Sequence, residues 1–196
     1  MKGYVRVAGL VLGLCPGLLF GKDQIGLRVG GFWAQDVEVD YTTDKISDFD
    51  ESVDGLLLGL EGDVYLLDQL ALEVTADVSQ EDSSLGDLEI YLGSVGLKLD
   101  LVPGKFRPYV GGGVGLLYYD FASDMGGGRG TEYFLRGKVG LSVELAEHVE
   151  LFVEGAYRYV PEEVTFQEGG RRYWYFPEVS SDLSAVEAVG GVRIGL

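Results

Sequence analysis

A repeating alternation of apolar and polar residues, with a period of two, restricts the fold of this chain more than any other feature. In residues 27–39 the odd positions are mostly apolar, whereas the even positions include Arg28, Asp36 and Glu38. Such alternation is typical of a β-strand with one apolar and one charged face. The sequence therefore predicts strands in which charged side chains are kept together on one side.

Eight segments show this pattern, at about residues 27–39, 56–66, 70–78, 88–101, 106–119, 133–145, 149–160 and 183–196. In the fourth, the apolar face switches from Leu88 and Ile90 to a set that begins with Tyr91, which predicts a β-bulge near Leu92 or Gly93. In the fifth, glycines occupy one face, where they would let the backbone approach neighbouring side chains. Eight strands are enough to close a small barrel.

The connections between these segments alternate in length. Residues 67–69, 102–105 and 146–148 form short connections, whereas residues 40–54, 79–87, 120–132 and 161–182 form long polar ones. Transmembrane barrels have short periplasmic turns at one rim and longer external loops at the other. With a periplasmic N-terminus, the long connections fall where external loops are expected.

The alternation alone does not decide whether the apolar face meets lipid outside or a ligand cavity inside, as in soluble lipocalin-like barrels. Strand lengths of about eleven residues, the loop asymmetry and an export signal favour lipid. Aromatic residues near strand ends favour it too, since they are typical of membrane interfaces. These are Trp33, Tyr41, Tyr65, Tyr118, Tyr119, Tyr157 and Tyr159. We therefore predict an all-β fold, an eight-stranded antiparallel up-and-down transmembrane β-barrel.

The N-terminal 21 residues have the pattern of a secretory signal peptide. Lys2 and Arg6 are followed by an uncharged apolar run over residues 7–20, and Gly21 is a candidate cleavage site. Residues 22–196 would then form the barrel domain. The single cysteine, Cys15, lies within the signal, so the processed chain would have no thiol and no disulfide.

Residues 106–115, Phe-Arg-Pro-Tyr-Val-Gly-Gly-Gly-Val-Gly, are echoed by Gly-Gly-Val-Arg-Ile-Gly-Leu at residues 190–196. This resembles the small outer-membrane β-barrel proteins of the OmpA/OmpX-like kind. The resemblance implies a location in the cell outer membrane, surrounded by lipid and lipopolysaccharide. In that family the last residue is usually aromatic and helps assembly, and Leu196 departs from this pattern.

With lipid outside, the charged face becomes the barrel interior, where ions of both signs are expected to pair around trapped water. The predicted lumen network comprises Arg28, Glu61, Asp63, Glu73, Lys98, Arg136, Lys138, Glu154, Arg158, Glu187 and Arg193. Because eight strands enclose a space that side chains nearly fill, we predict a salt-bridged plug and little or no conductance.

Catalysis and cofactor binding are not expected. Small barrels that hydrolyse or transfer acyl groups need a histidine at the outer rim, whereas His148, the sole histidine, falls in a short turn at the opposite rim. The glycines of residues 126–130 lack a phosphate-loop ending and are read as a flexible loop tip. A net charge of -17 excludes sequence-independent binding to nucleic acid.

No metal site is predicted. The acidic first loop does not have the ligand spacing of a calcium loop. Its carboxylates, Asp44, Asp48, Asp50, Glu51 and Asp54, leave open a loose bridging of divalent ions to lipopolysaccharide.

The longest loop carries an aromatic and cationic cluster in an otherwise acidic protein. Its core is Arg171, Arg172, Tyr173, Trp174 and Tyr175. It would either fold onto the external membrane interface, with the arginines on lipid phosphates, or present a partner-binding surface.

Three functions follow from this pattern. The first is a monomeric barrel with a structural role in the envelope and with external loops that contact a protein or surface ligand. The second is a narrow channel or small-solute conduit. The third is a soluble, secreted, lipocalin-like ligand-binding barrel.

Overall fold

The computed structural model describes residues 23–34, 37–40, 54–83, 86–123, 126–161, 164–166, 178–181 and 183–196. The strands are β1 (Gln24–Ala34), β2 (Val37–Asp40), β3 (Asp54–Tyr65), β4 (Leu70–Ser83), β5 (Gly86–Asp100), β6 (Phe106–Ser123), β7 (Gly126–Ala146), β8 (Val149–Tyr159), β9 (Val164–Phe166), β10 (Glu178–Ser181) and β11 (Ala185–Gly195). Among the described residues there is no helix of the length and apolarity needed to span a membrane.

Eight of these strands form a closed antiparallel barrel in the order β1-β11-β8-β7-β6-β5-β4-β3. Each barrel strand pairs with the barrel strand that precedes or follows it along the chain. The first, β1, pairs with both β3 and the last strand β11, which closes the ring. At the seam Gln24 lies opposite Gly195, and the Leu196 amide donates to the Asp23 carbonyl at 2.8 Å. The predicted eight-stranded up-and-down barrel is confirmed.

The first predicted strand is interrupted. We expected one strand over residues 27–39, whereas β1 ends at Ala34 and β2 joins β10 and β9 in a separate three-stranded sheet. Because β2 follows β1 and β10 precedes β11, this small sheet continues the chain from two neighbouring barrel strands at the long-loop end.

The short connections are tight turns, as predicted. The Leu66 amide donates to the Leu70 carbonyl at 2.9 Å in the first turn, and the Leu101 amide donates to the Pro108 carbonyl at 2.8 Å across the second. In the third turn His148 has a φ of 68°, an uncommon value for a residue other than glycine. Its carbonyl accepts a hydrogen bond from the Gly195 amide at 2.8 Å, which ties this turn to the last strand.

Two of the connections predicted as long loops are mostly strand. β4 and β5 pair as far as Ser83 and Gly86, and β6 and β7 pair as far as Ser123 and Gly126. The glycine-rich residues 126–130 therefore belong to β7, and their prediction as a flexible loop tip is wrong. We interpreted the polar residues of these segments as loops, but a strand that extends beyond a membrane can be polar on both faces.

Side chains alternate between the two surfaces of the barrel, apart from a register shift in β7 between Glu144 and Ala146. Along β8, Glu150, Phe152 and Glu154 are buried inside while Leu151 and Val153 are exposed outside. Leu27, Leu116, Val139 and Val153 are each 60% or more exposed. Since a water-soluble barrel would place such residues inside, this exterior is typical of a barrel surrounded by hydrocarbon.

Candidate functional site: the barrel interior

All eleven side chains predicted for the lumen network lie inside the barrel, and none is more than 7% exposed. Strict alternation brings them there, because each occupies the face of its strand opposite the apolar exterior. Charges on strands distant in sequence thus meet across the lumen, as in the pair Arg28 and Glu154.

Glu154 on β8 is the centre of the network. One carboxylate oxygen accepts from Arg28 Nη2 at 2.9 Å, and the other accepts from Lys138 Nζ and Tyr109 Oη, each at 3.0 Å. Arg136 Nη2 lies 3.6 Å from the first oxygen. One carboxylate is therefore shared by three cations in a space closed to solvent, which concentrates the energetic importance of the network on this residue.

Arg193 on β11 is fully buried and organises the part nearer the short turns. Its Nε donates to Glu61 at 2.5 Å and its Nη1 donates to Glu150 at 3.1 Å. The guanidinium also stacks on the ring of Phe152, 3.8 Å from its centroid. A planar guanidinium can donate in its plane and stack above it at the same time, which a lysine cannot do.

The remaining predicted pairs extend the network toward both ends. Glu187 contacts Arg136 at 2.5 Å and Arg158 at 3.1 Å near the long-loop end. Lys98 pairs with Asp63, and Lys138 pairs with Glu73 on the opposite wall. Cations and anions alternate in space, so no described lumen charge of this set is without a counter-ion.

Sequence reasoning left several members out of the site. Asp77 lies 3.1 Å from Arg28 and 3.5 Å from Arg136, and Glu150 pairs with Arg107 as well as Arg193. The period-two alternation could have identified both carboxylates, since each lies on the charged face of its own strand. Tyr109, whose hydroxyl reaches the Glu154 carboxylate, gave no such signal, because the next three residues on its face of β6 are the glycines 111, 113 and 115.

The long-loop end of the lumen is apolar rather than charged. A buried cluster fills it, made of Phe32, Ile90, Leu92, Leu117, Tyr119, Phe134, Val160, Leu183 and Ala185. This cluster also corrects the predicted bulge. β5 pairs with both neighbours without a register shift through Leu92 and Gly93, so Ile90 and Leu92 face inward by ordinary alternation. The apolar face did not switch, because both faces are apolar at this height.

Glycines on the inner wall lie opposite aromatic side chains of the neighbouring strand. A Cβ atom on Gly115 would overlap the ring of Phe134, and one on Gly140 would overlap the ring of Tyr109. The same holds for Gly55 with Phe32, Gly130 with Tyr119 and Gly191 with Phe152. The expectation that glycines allow close approach is confirmed for Gly115, and this pairing packs large rings in a narrow barrel.

The exterior carries only part of the predicted aromatic set. Trp33, Tyr118, Tyr157 and Tyr159 are exposed on the outer surface near the long-loop end, where a membrane interface would lie. Tyr65 and Tyr119 instead face inward and are buried, so their assignment to an interfacial belt is wrong. Whether an aromatic side chain faces outward depends on its place in the two-residue alternation of the strand, and not on its distance from the strand end. Tyr41 lies outside the described residues.

Other predicted features lie outside the described residues. They are the signal sequence 1–21, the acidic positions 44–51 of the first loop, and the cluster of Arg171, Arg172, Tyr173, Trp174 and Tyr175. His148 is described, and it lies in an exposed turn at the short-turn end, where the sequence placed it. In the part of the chain that the structure describes, no three histidine, cysteine, aspartate or glutamate side chains are placed to hold a metal ion.

No family model matches the sequence, and no curated protein matches it. Solved structures match the fold over almost the whole chain. Neisserial surface protein A, NspA, is 14% identical, with a TM-score of 0.64 over 89% of this chain and 97% of that one. OprG from Pseudomonas aeruginosa is 17% identical, with a TM-score of 0.65 over 90% of this chain and 96% of that one. The N-terminal β-barrel domain of P. aeruginosa OprF is 15% identical, with a TM-score of 0.57 over 90% of this chain and all of that one.

At these identities the likeness concerns the fold alone, and it agrees with the apolar exterior and with the sequence resemblance. Together they point to the outer membrane. The chain has the fold of the small eight-stranded outer-membrane β-barrel proteins.

Proposed function

We propose that this protein is an outer-membrane barrel with a structural role in the envelope, whose external loops contact other molecules at the cell surface. The N-terminal 21 residues would direct its export. The supporting observation is the distribution of side chains: leucines and valines are exposed around the barrel, while the charges are paired within it. A chain with this distribution is stable only where hydrocarbon meets its outer surface.

The filled lumen supports a structural role over a transport role. Ion pairs occupy the middle of the barrel and the apolar cluster occupies its long-loop end. A permeating ion would have to separate buried pairs and then cross a mostly apolar region, both of which are costly. The alternative of a narrow channel predicts a continuous polar path instead.

Fractionation and gel migration test the membrane assignment. We expect the protein in the outer-membrane fraction, and a detergent-folded sample should migrate differently on a gel before and after boiling. A mature chain that remained monomeric and freely soluble in buffer without detergent would instead support the secreted lipocalin-like alternative.

Planar bilayers test the role of the lumen. Purified, folded protein should give no stepwise currents above those of the protein-free bilayer. Robust porin-like currents would contradict the plugged lumen and favour the conduit.

The loop that carries Arg171, Arg172 and Trp174 separates two ways of contacting the surroundings. If the loop lies on the lipopolysaccharide interface, alanine at these three positions should weaken association with lipopolysaccharide-containing vesicles. If adhesion to a surface or protein is lost while barrel stability and vesicle association are unchanged, the loop is a partner-binding surface.

A further inference from the structure

A small cavity lies against the part of the inner wall that β4, β5, β6 and β7 form, and is called here the wall cavity. Its lining includes Glu73, Ser94, Gly96, Gly113, Arg136 and Lys138. Its volume is about 10 Å³. One buried water molecule needs about this much space, so the wall cavity is too small for an organic ligand.

Glycines on two neighbouring strands make room for this cavity. Gly96 on β5 lies directly opposite Gly113 on β6, on the faces of these strands that point into the lumen. At Gly115 and Gly140 an aromatic ring occupies the space beside the glycine, whereas the atoms nearest to a Cβ at Gly96 or Gly113 are backbone atoms of the adjacent strand. The described side chains that border this space are polar instead of aromatic.

Arg136 brings an unpaired hydrogen-bond donor to the wall cavity. The residue is 7% exposed, and its Nε has no hydrogen-bond partner in the described part of the chain. The two terminal nitrogens are held elsewhere, since Nη1 lies 3.5 Å from Asp77 and Nη2 lies 2.5 Å from Glu187. Because a buried donor without a partner is costly, an acceptor that enters the cavity and bonds to Nε is stabilising.

Two further side chains can bond to the same small molecule. Glu73 uses its Oε2 to accept from Lys138 Nζ, and its second carboxylate oxygen is also an acceptor. Ser94 Oγ lies 2.6 Å from Thr75 Oγ1, and a hydroxyl oxygen can accept a second hydrogen bond. The cavity thus offers one donor and two acceptors, which matches the two to four hydrogen bonds of a buried water.

The charges beside the cavity favour a neutral ligand. A cation would be repelled by Arg136 and Lys138, and an anion would be repelled by Glu73. Both cations already have carboxylate partners, Arg136 in Glu187 and Lys138 in Glu154. A water molecule can accept on one side and donate on the other, so it binds here without separating an ion pair.

We propose that the wall cavity binds one water molecule, which accepts a hydrogen bond from Arg136 Nε and donates to the Glu73 carboxylate and to Ser94 Oγ. This water joins the ion pair of Arg136 and Glu187 to the ion pair of Lys138 and Glu73 across the wall of the barrel. The site belongs to the folded barrel and does not depend on its role in the envelope. Its failure would therefore leave the proposed function intact.

Nuclear magnetic resonance of the ¹⁵N-labelled full chain, folded in detergent micelles, tests this site. In a rotating-frame Overhauser experiment the Arg136 Nε proton should give a cross-peak at the water frequency, with the sign of a through-space contact and not of proton exchange. The Arg193 Nε proton is the internal control, because Arg193 is fully buried and its Nε already donates to Glu61. It should give no such cross-peak.

Two serine variants form a matched pair. Ser94→Val removes a hydroxyl and adds a methyl group in the cavity, and should reduce the Arg136 cross-peak to less than about a fifth. Ser142→Val makes the same change at an inward serine of β7 that is 1% exposed and bonds to the Arg107 carbonyl. Since Ser142 does not line the wall cavity, this variant should leave the cross-peak unchanged.

A crystal structure of the wild-type protein, soaked in bromide, keeps the test decisive if Ser94→Val does not fold. It should show one water within hydrogen-bond distance of Arg136 Nε and no anomalous signal in the cavity. Absence of the wild-type cross-peak, its persistence in Ser94→Val or an equal loss in Ser142→Val would each overturn the proposal. Bromide in the cavity would overturn it too, because the site would then bind an anion.

Discussion

At the scale of single residues, the barrel depends on a few side chains that several partners share. Glu154 contacts three cations and a tyrosine hydroxyl, and Arg193 contacts three carboxylates and the ring of Phe152. When one partner of a buried network is removed, the others are left charged in a medium that solvates them poorly. Loss of a shared partner is therefore more harmful than loss of a peripheral one.

Glu154→Gln is the sharpest test of this sharing. We expect a loss of about 3–5 kcal/mol in the free energy of unfolding, because Arg28, Arg136 and Lys138 lose their common anion. Urea titration of the barrel in phospholipid vesicles measures it. Glu147→Gln, whose side chain is 92% exposed, is the matched control and should change stability very little. Equal effects of the two variants would contradict the shared role of Glu154.

The glycines opposite aromatic rings give a second test. Gly140→Ala should destabilise the barrel by about 1–3 kcal/mol, because the new methyl group would overlap the Tyr109 ring. Gly137→Ala, three residues earlier and on the outer face of the same strand, meets no atom within 4 Å and should be tolerated. The free energies of unfolding of the two variants are compared under the same conditions. If Gly140→Ala were as stable as the wild-type protein, the Tyr109 ring would move aside without cost.

At the scale of the strands, each element is built for two surroundings at once. On β6 the inward Leu117 belongs to the apolar cluster and is fully buried, whereas its neighbour Leu116 faces outward. A strand of this kind has two apolar faces near the long-loop end and one apolar face lower down. This is the reason that period-two analysis found the strands but misread the fourth one.

Truncation of these two neighbours separates a packed interior from a lipid-facing surface. Leu117→Ala should cost about 2–5 kcal/mol, the sum of lost burial and an unfilled cavity. Leu116→Ala should cost at least about 1 kcal/mol less, because mobile hydrocarbon chains fill the space that the side chain leaves. Unfolding in vesicles is the measurement. Equal costs would indicate that the apolar cluster is loosely packed.

The strands also differ in length. β1, β8 and β11 have 11 residues, which is the length of a tilted membrane span, whereas β7 has 21. At about 3.3 Å per residue, β7 is about 70 Å long and exceeds the hydrocarbon thickness. One wall, formed by β6 and β7, therefore projects beyond the barrel at the long-loop end. Residues that we predicted as loop form this projecting hairpin.

At the scale of the whole molecule, stability depends on the solvent that meets the exterior. Val139 lies near the middle of the outer surface, opposite Val110 and Gly155, and is 62% exposed. In lipid, Val139→Arg should cost about 2–4 kcal/mol, and Leu145→Arg beside a short turn should cost about 0–1 kcal/mol. Unfolding in phospholipid vesicles checks this depth dependence. If both variants were equally harmless, hydrocarbon would not surround the barrel.

The sequence by itself determined the eight strands of the barrel, their antiparallel order and the side of each that carries charge. The reason is that these properties follow from local alternation and from the lengths of connections. It also indicated which charges belong together, since every residue on the charged face of a closed barrel points to the same narrow space.

Only the tertiary structure decided which charges pair and which end of the lumen is apolar. Glu154 and Arg28 are 126 positions apart, and their contact depends on the stagger of the closed sheet, which alternation does not specify. The pairing of glycines with aromatic rings and the continuation of β6 and β7 beyond the barrel depend on register in the same way. Local pattern fixes the face of a side chain, and barrel closure fixes its neighbours.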